Sequence, residues 1–212
     1  MTSPAIVDSP LLKKIIDHWS MVDTDIASLE ADLLRQATYQ YNVTIAQQLA
    51  LGGCNQASNG PDPQSQRWLE DFARDTAKGI TNTYQNDLTK KVRQLKAAAP
   101  RGNRYYYLRG LETWEKERTS KKAPTIALNT MADARAYAQD RFIRENGLTK
   151  QRYAPVGPPP VCKICVRIFA KGPLPWEECQ KKINFVPAHS RCPHTRAALV
   201  PKKLDCSTVW RG

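Results

Sequence analysis

The chain contains no run of about 18 apolar residues, so it offers no candidate for a membrane-spanning helix. Its first residues, MTSPAIVDSPLLKKIIDHW, lack the basic start and apolar core of a secretory signal, and a reducing cytoplasm is the expected setting. No H-E-x-x-H, nucleophile elbow or phosphate-binding glycine loop is present, which removes the common signatures of metalloprotease, hydrolase and nucleotide chemistry. A nucleoside deaminase needs His-x-Glu upstream and Pro directly before Cys-x-x-Cys, but here Val161 separates Pro160 from Cys162. Glu177 and Glu178 therefore read as surface carboxylates in a basic region. No catalytic residue is named and no enzyme is expected. Repeats of solenoid period and low-complexity segments are also missing.

What is present is a chain of 212 residues, 41% hydrophobic, enough for one large or two small domains with a real core. The net charge of +12 is unevenly placed: residues 1–100 carry 10 Lys and Arg against 11 Asp and Glu, and residues 101–212 carry 22 against 9. A basic half beside a near-neutral one suits contact with nucleic acid or an acidic protein surface, although any single Lys pair is better read as solvated surface.

Hydrophobic spacing predicts a mainly α fold: a long helical hairpin plus shorter helices, followed by a small zinc-stapled irregular or β module. Leu11 to Trp19 is expected to form a short amphipathic helix. Val22, Ile26, Leu29, Leu33, Ala37, Tyr41, Ile45 and Leu49 recur every three or four residues, predicting a long helix from Asp23 to Leu51 stopped by Gly52-Gly53. The turn-rich segment Gly52 to Gln66 follows, with Cys54 expected there as a free thiol of no function. A second long helix, Gln64 to Ala99, carries Trp68, Phe72, Thr76, Ile80, Tyr84, Leu88, Val92 and Leu95 at i, i+4 spacing and ends at Pro100. Beyond the turn Pro100–Asn103, the stretch RYYYLRGLETWEKER reads as a helix weakened by Gly110. A polar loop is expected at Thr119–Pro124, then a helix capped by Asn129 or Thr130 and stopped at Asn146-Gly147, with Ala134, Ala138, Phe142 and Met131 facing inward. The domains are thus a helical domain 1–147, a Pro-rich linker 148–161, a zinc-knuckle module 162–194 and a basic tail 195–212 too short and polar to fold alone.

The chemistry concentrates in VCKICVRIFAKGPLPWEECQKKINFVPAHSRCPH. Cys162 and Cys165 stand three apart, and after 23 intervening residues His189 and Cys192 stand three apart. Two such turns offer four ligands to one zinc ion, and a Cys3His set leaves no open position for substrate, so the metal is structural. Cys179 and His194 are the competing donors. With Cys54 remote from the other cysteines and no export signal, a disulfide framework is the poorer reading of six Cys. For contact with nucleic acid or an acidic partner the candidates are Arg101, Arg104, Arg109, Lys181, Lys182, Lys202 and Lys203. The Tyr and Trp residues interleaved among the first three could stack on bases, although aromatic core packing accounts for them better.

The order ADARAYAQDRFIRENG (Ala132 to Gly147), Cys162-Lys163-Ile164-Cys165, Gly172-Pro173 and Pro187-Ala188-His189-Ser190-Arg191-Cys192 resembles the C-terminal module of the minor head (head morphogenesis) protein family of tailed bacteriophages. It covers about a third of the chain. The family ends its motif in a second Cys, where this chain has His194, and the family's Trp and Asp before the knuckle are missing here. The resemblance implies a virion or procapsid component, made in the host cytoplasm and present in multiple copies or as an oligomer near the portal vertex. Its partners would be the portal, other head and neck proteins and packaged DNA, with no membrane. The alternative is a stand-alone zinc-ribbon nucleic-acid-binding protein.

Overall fold

The first helix ends where two glycines let it end. In the computed structural model, which describes residues 26–98, 104–160, 162–181, 183–184, 194–198 and 203–212, α1 spans Ile26–Leu51. Gly53 takes φ +85°, its N–H meets the Ala50 carbonyl at 3.0 Å and the Cys54 N–H meets Leu49 at 2.9 Å. This paired arrangement satisfies carbonyls that the last turn leaves open, and only a residue tolerant of positive φ makes it without strain. The expected stripe is buried from Leu29 through Leu33, Ala37, Tyr41, Ile45 and Leu49, while Ile26 is exposed. The segment Leu11–Trp19, Val22 and the turn Pro100–Asn103 lie outside the described residues.

Helix α2, Pro63–Ala98, starts on a cap that the spacing of apolar residues did not reveal. Asp62 accepts the Ser65 N–H at 2.7 Å and Pro63 occupies the first helical position, where a missing N–H costs nothing. The buried face matches the expected one at Ile80 and Leu95 but not at its start. Leu69, Ala73, Ala77 and Ile80 are buried, whereas Trp68 and Phe72 stack on each other at 4.9 Å and stay half-buried. Small side chains take the inner positions because they let helices approach closely, and the large rings fit only at the margin.

Helix α3 is a single element, Arg104–Glu145, where a weak helix, a polar loop and a further helix were expected. Pro124 lies inside it. Proline removes one N–H donor and crowds the preceding turn, a cost of about 3 kcal/mol in an isolated helix. Ala123 and Ala127 on either side are fully buried, and that burial carries the helix through. Ser120, Lys121 and Lys122, which suggested a loop, are exposed on its outer face. Asn129 and Thr130 are mid-helix, the Thr130 hydroxyl donating to the Ile126 carbonyl at 3.0 Å. Asn146-Gly147 ends the helix as expected, with Gly147 at φ +62° and the Leu148 N–H on the Ile143 carbonyl at 2.8 Å.

The chain forms two compact units, and each long helix contributes a segment to both. Unit 1 holds the described residues up to Gln36 together with Trp68–Thr130. Its core joins Leu29 and Leu33 of α1, Ala73, Ala77 and Ile80 of α2, and Ala123 and Ala127 of α3. Burying the three larger side chains contributes about 1.5–3 kcal/mol each. Gly110, which weakened the expected helix, sits where a Cβ would come within 2.6 Å of Leu95, so its lack of a side chain makes room for α2.

Unit 2 holds Ala37–Arg67 and Met131–Gly212. The Pro-rich segment is not a mere spacer: it contains strand β1, Arg152–Val156. β1 is central in an antiparallel sheet of order β2-β1-β3, with β2 at Leu174–Pro175 and β3 at Thr195–Ala198. Pro155 is tolerated because β2 pairs only with Arg152 and Tyr153, leaving Pro155 without a strand partner on that side. Two short helices, α4 (Lys163–Ala170) and α5 (Trp176–Gln180), complete the module. Trp176 packs edge-on against Tyr153 at 4.9 Å and donates from Nε1 to Asp140 at 2.7 Å. Arg196, 3% exposed, donates to the carbonyls of Tyr153 and Asn184 at 3.1 and 2.8 Å, while the Gln139 amide donates to the Arg196 carbonyl at 2.6 Å.

The tail is also a correction. Rather than waiting for a partner, Thr195–Ala198 forms β3 and residues 203–212 return to the helix ends of unit 2. The Leu204 N–H reaches the Gly52 carbonyl at 2.9 Å and the Asn59 N–H reaches Arg211 at 3.0 Å. Asn146 accepts the Trp210 N–H at 2.9 Å, and the Arg141 guanidinium lies 5.5 Å from the Trp210 ring centroid. Cys54, expected to be a free thiol, is disulfide-bonded to Cys206. The bond joins residues 152 apart in sequence, a proximity that only the returning tail creates.

Candidate functional site

Cys162 has extended backbone angles and caps α4, its thiol accepting the Cys165 N–H at 3.2 Å. The Val166 N–H closes the same turn on the Cys162 carbonyl at 2.9 Å. This Cys-x-x-Cys turn places two thiols at the start of α4, and thiolate is the form in which cysteine binds zinc. Cys165 and Ile168 point into the unit, whereas Ile164 and Val166 are about half exposed.

The other expected donors fare differently. Cys179 is a free, buried thiol, its Sγ 3.6 Å from the Leu174 carbonyl. Burial pushes its pKa up, so it is a protonated packing group. His194 is buried, with Nε2 2.9 Å from the Pro158 carbonyl and its ring edge-on to Phe169 at 4.8 Å. A carbonyl only accepts, so Nε2 carries the proton. Among the described residues no three His, Cys, Asp or Glu side chains converge as a metal site. His189 and Cys192 lie outside the described residues.

Unit 1 carries a second constellation. Arg118, 5% exposed, lies 5.4 Å from the Tyr84 ring centroid and 5.5 Å from that of Trp114, and it pairs with Asp87. Asp87 also accepts from Lys122 at 2.6 Å. The Lys122 ammonium, with the Arg118 guanidinium, holds the Asp87 carboxyl below the usual carboxylate range against the opposing effect of burial. Beside this cluster run two adjoining depressions, of about 510 and 330 Å³, which share Lys91, Trp114 and Glu117.

Of the residues expected to meet an acidic partner, Arg109 borders the larger depression and is exposed. Lys181 is exposed and paired with Glu178 at 2.6 Å, and Lys203 is exposed in the tail. Arg101, Lys182 and Lys202 lie outside the described residues, and Arg104 is described only by its helical backbone. Lys90, Lys91, Lys121 and Lys122 also line the depressions, and sequence reasoning missed them. The available signal was the two Lys-Lys pairs, Lys90-Lys91 before Pro100–Asn103 and Lys121-Lys122 after it.

Among the described residues no helix is long and apolar enough to cross a membrane. No family model, curated protein or solved structure matches the chain.

Proposed function

We propose that the chain is a non-enzymatic structural protein of a tailed-phage particle, a minor head or portal-vertex component acting in head assembly, stapled by one zinc ion. The observation that carries the reading is the Cys162 thiol receiving the Cys165 N–H at the start of α4, half of the Cys3His set Cys162, Cys165, His189 and Cys192. Cys179 is buried against the Leu174 carbonyl, whereas His194, with Nε2–H on the Pro158 carbonyl, keeps Nδ1 as a donor that competes with His189 beside Cys192. A closed four-ligand site stabilises a fold and leaves no place for substrate. The order of motifs from Ala132 to Cys192 supports the head-protein assignment, with the portal and neighbouring head proteins as partners and packaged DNA as a contact of the basic half.

The test is location and metal together. The chain should co-purify with assembled particles or with a portal ring, and the purified protein should hold one zinc. Absence from particles sinks the structural role, and metal-free protein with all four ligands intact sinks the staple.

A second reading, a stand-alone zinc-ribbon nucleic-acid-binding protein, draws on the basic depressions of unit 1. Steep loss of DNA affinity with salt, with no assembly onto a portal ring, favours it.

A further inference from the structure

We infer that the groove between α2 and α3 in unit 1 is a binding site for single-stranded nucleic acid. The inference rests on the nucleic-acid contact of the reading above, but needs neither its zinc ion nor its place in a particle.

The charge argument begins with what is already neutralised. Asp87 is engaged by both Arg118 and Lys122. Among the described residues, Lys90, Lys91 and Arg109 enter no salt bridge, and all three line the groove. With Asp87 matched internally, Glu117 is the remaining carboxylate of the lining, against several cations. A phosphate chain is the ligand whose repeated charge matches such a track, and its binding gains from counterion release.

The aromatic argument selects strand number. Tyr106, 39% exposed, and Trp114 line the larger depression. Arg118 and Tyr84 brace the Trp114 ring, the two aromatic centroids 6.0 Å apart, so it presents a fixed surface. Aromatic surface beside a cationic track suits unpaired bases, which can stack, and is wasted on a duplex whose bases are already stacked. Gly110 and Thr113 also line the larger depression, and Gly110 is where α3 gives way to Leu95.

The experiment uses the full chain and a fluorescent 20-nucleotide oligothymidylate, with binding measured by anisotropy across a salt series. Lys90→Glu, Lys91→Glu and Arg109→Glu together should weaken binding at least about 10-fold and lower the salt slope by about 2. Tyr106→Ala should weaken single-strand binding by about 10-fold while leaving the salt slope unchanged. A control carrying Lys150→Glu, Lys163→Glu and Arg167→Glu, exposed cations of unit 2 that do not line the groove, makes the same charge change. Melting of each variant confirms that it is folded. Equal losses in control and groove variants overturn the site. A duplex bound as tightly as the single strand, with Tyr106→Ala without effect, overturns the choice of ligand. Binding that tracks the groove variants in a protein never found in particles leaves this inference standing and sinks the particle role alone.

Discussion

Cys206 is bonded to Cys54, and through that bond the C-terminal tail is tied to the turn that ends α1. A link between residues 152 apart restricts the unfolded chain strongly. Cys206→Ser is expected to lower stability by about 2–5 kcal/mol. Urea unfolding of the variant and the parent under non-reducing conditions checks it, and coincident midpoints would rule the linkage out as a stabilising element. Leu204 should lose its seat over Gly52 in the variant, visible as faster exchange of the Leu204 amide with solvent.

Asp62 joins two roles, capping α2 through Ser65 and pairing with Arg141 at 2.6 Å. Burial opposes its ionised form, but the Ser65 N–H and the Arg141 guanidinium outweigh burial, and the carboxyl titrates below the usual range. A depressed folded pKa means the contribution is fully present above the unfolded pKa of about 3.9 and is lost as pH falls through the folded value. Asp62→Asn keeps a capping oxygen and removes the charge. Its stability should therefore be lower than the parent's at pH 7, and the gap should close as pH falls below about 4. A gap independent of pH between 2 and 7, on the order of the measurement error, counts against the ion pair. Asp62→Ala removes cap and charge together and should cost about 2 kcal/mol at pH 7.

Arg118 is held by two rings and a carboxylate, with almost no surface exposed. A lysine at this position keeps the charge but not the plane that lies against Tyr84 and Trp114. Arg118→Lys should cost about 1–2 kcal/mol, and Arg118→Ala about 3 kcal/mol, since alanine also removes the packing. Chemical denaturation of the two variants orders them, and a lysine variant as stable as the parent shows that charge alone suffices.

Legibility followed the size of the side chains. In α1 the buried positions Leu29, Leu33, Tyr41, Ile45 and Leu49 are large and apolar, so the stripe was readable without a partner. In α2 the same logic selected Trp68 and Phe72, yet Ala73 and Ala77 take the inner positions, because helix approach depends on what is small. Pro124 looked like a terminator, since the burial of Ala123 and Ala127 that offsets it is a tertiary effect. The basic groove had the same obstacle. Lys90 and Lys91 meet Lys121 and Lys122 only when α3 returns along α2, and a loop at Thr119–Pro124 would have kept the second pair off the helix. The Cys162–Cys165 turn was readable because both cysteines sit within one turn of chain.

Which histidine completes the proposed zinc site is open to a direct measurement. His194 gives Nε2–H to Pro158 and packs on Phe169, which leaves its Nδ1 as the rival donor to His189. His189 stands three residues before Cys192, the spacing that lets two donors share one turn. His194→Ala should keep one equivalent of zinc and lose about 1–3 kcal/mol of stability, from the buried hydrogen bond and the ring contact. His189→Ala and Cys192→Ala should each lose the metal, because a three-ligand remnant binds far more weakly and zinc binding is coupled to folding. Elemental analysis after dialysis separates the cases, and His194→Ala arriving metal-free while His189→Ala keeps its zinc would transfer the ligand role to His194. Adding a chelator to the parent should lower its melting temperature and leave metal-free His189→Ala unaffected, which distinguishes lost zinc from general damage.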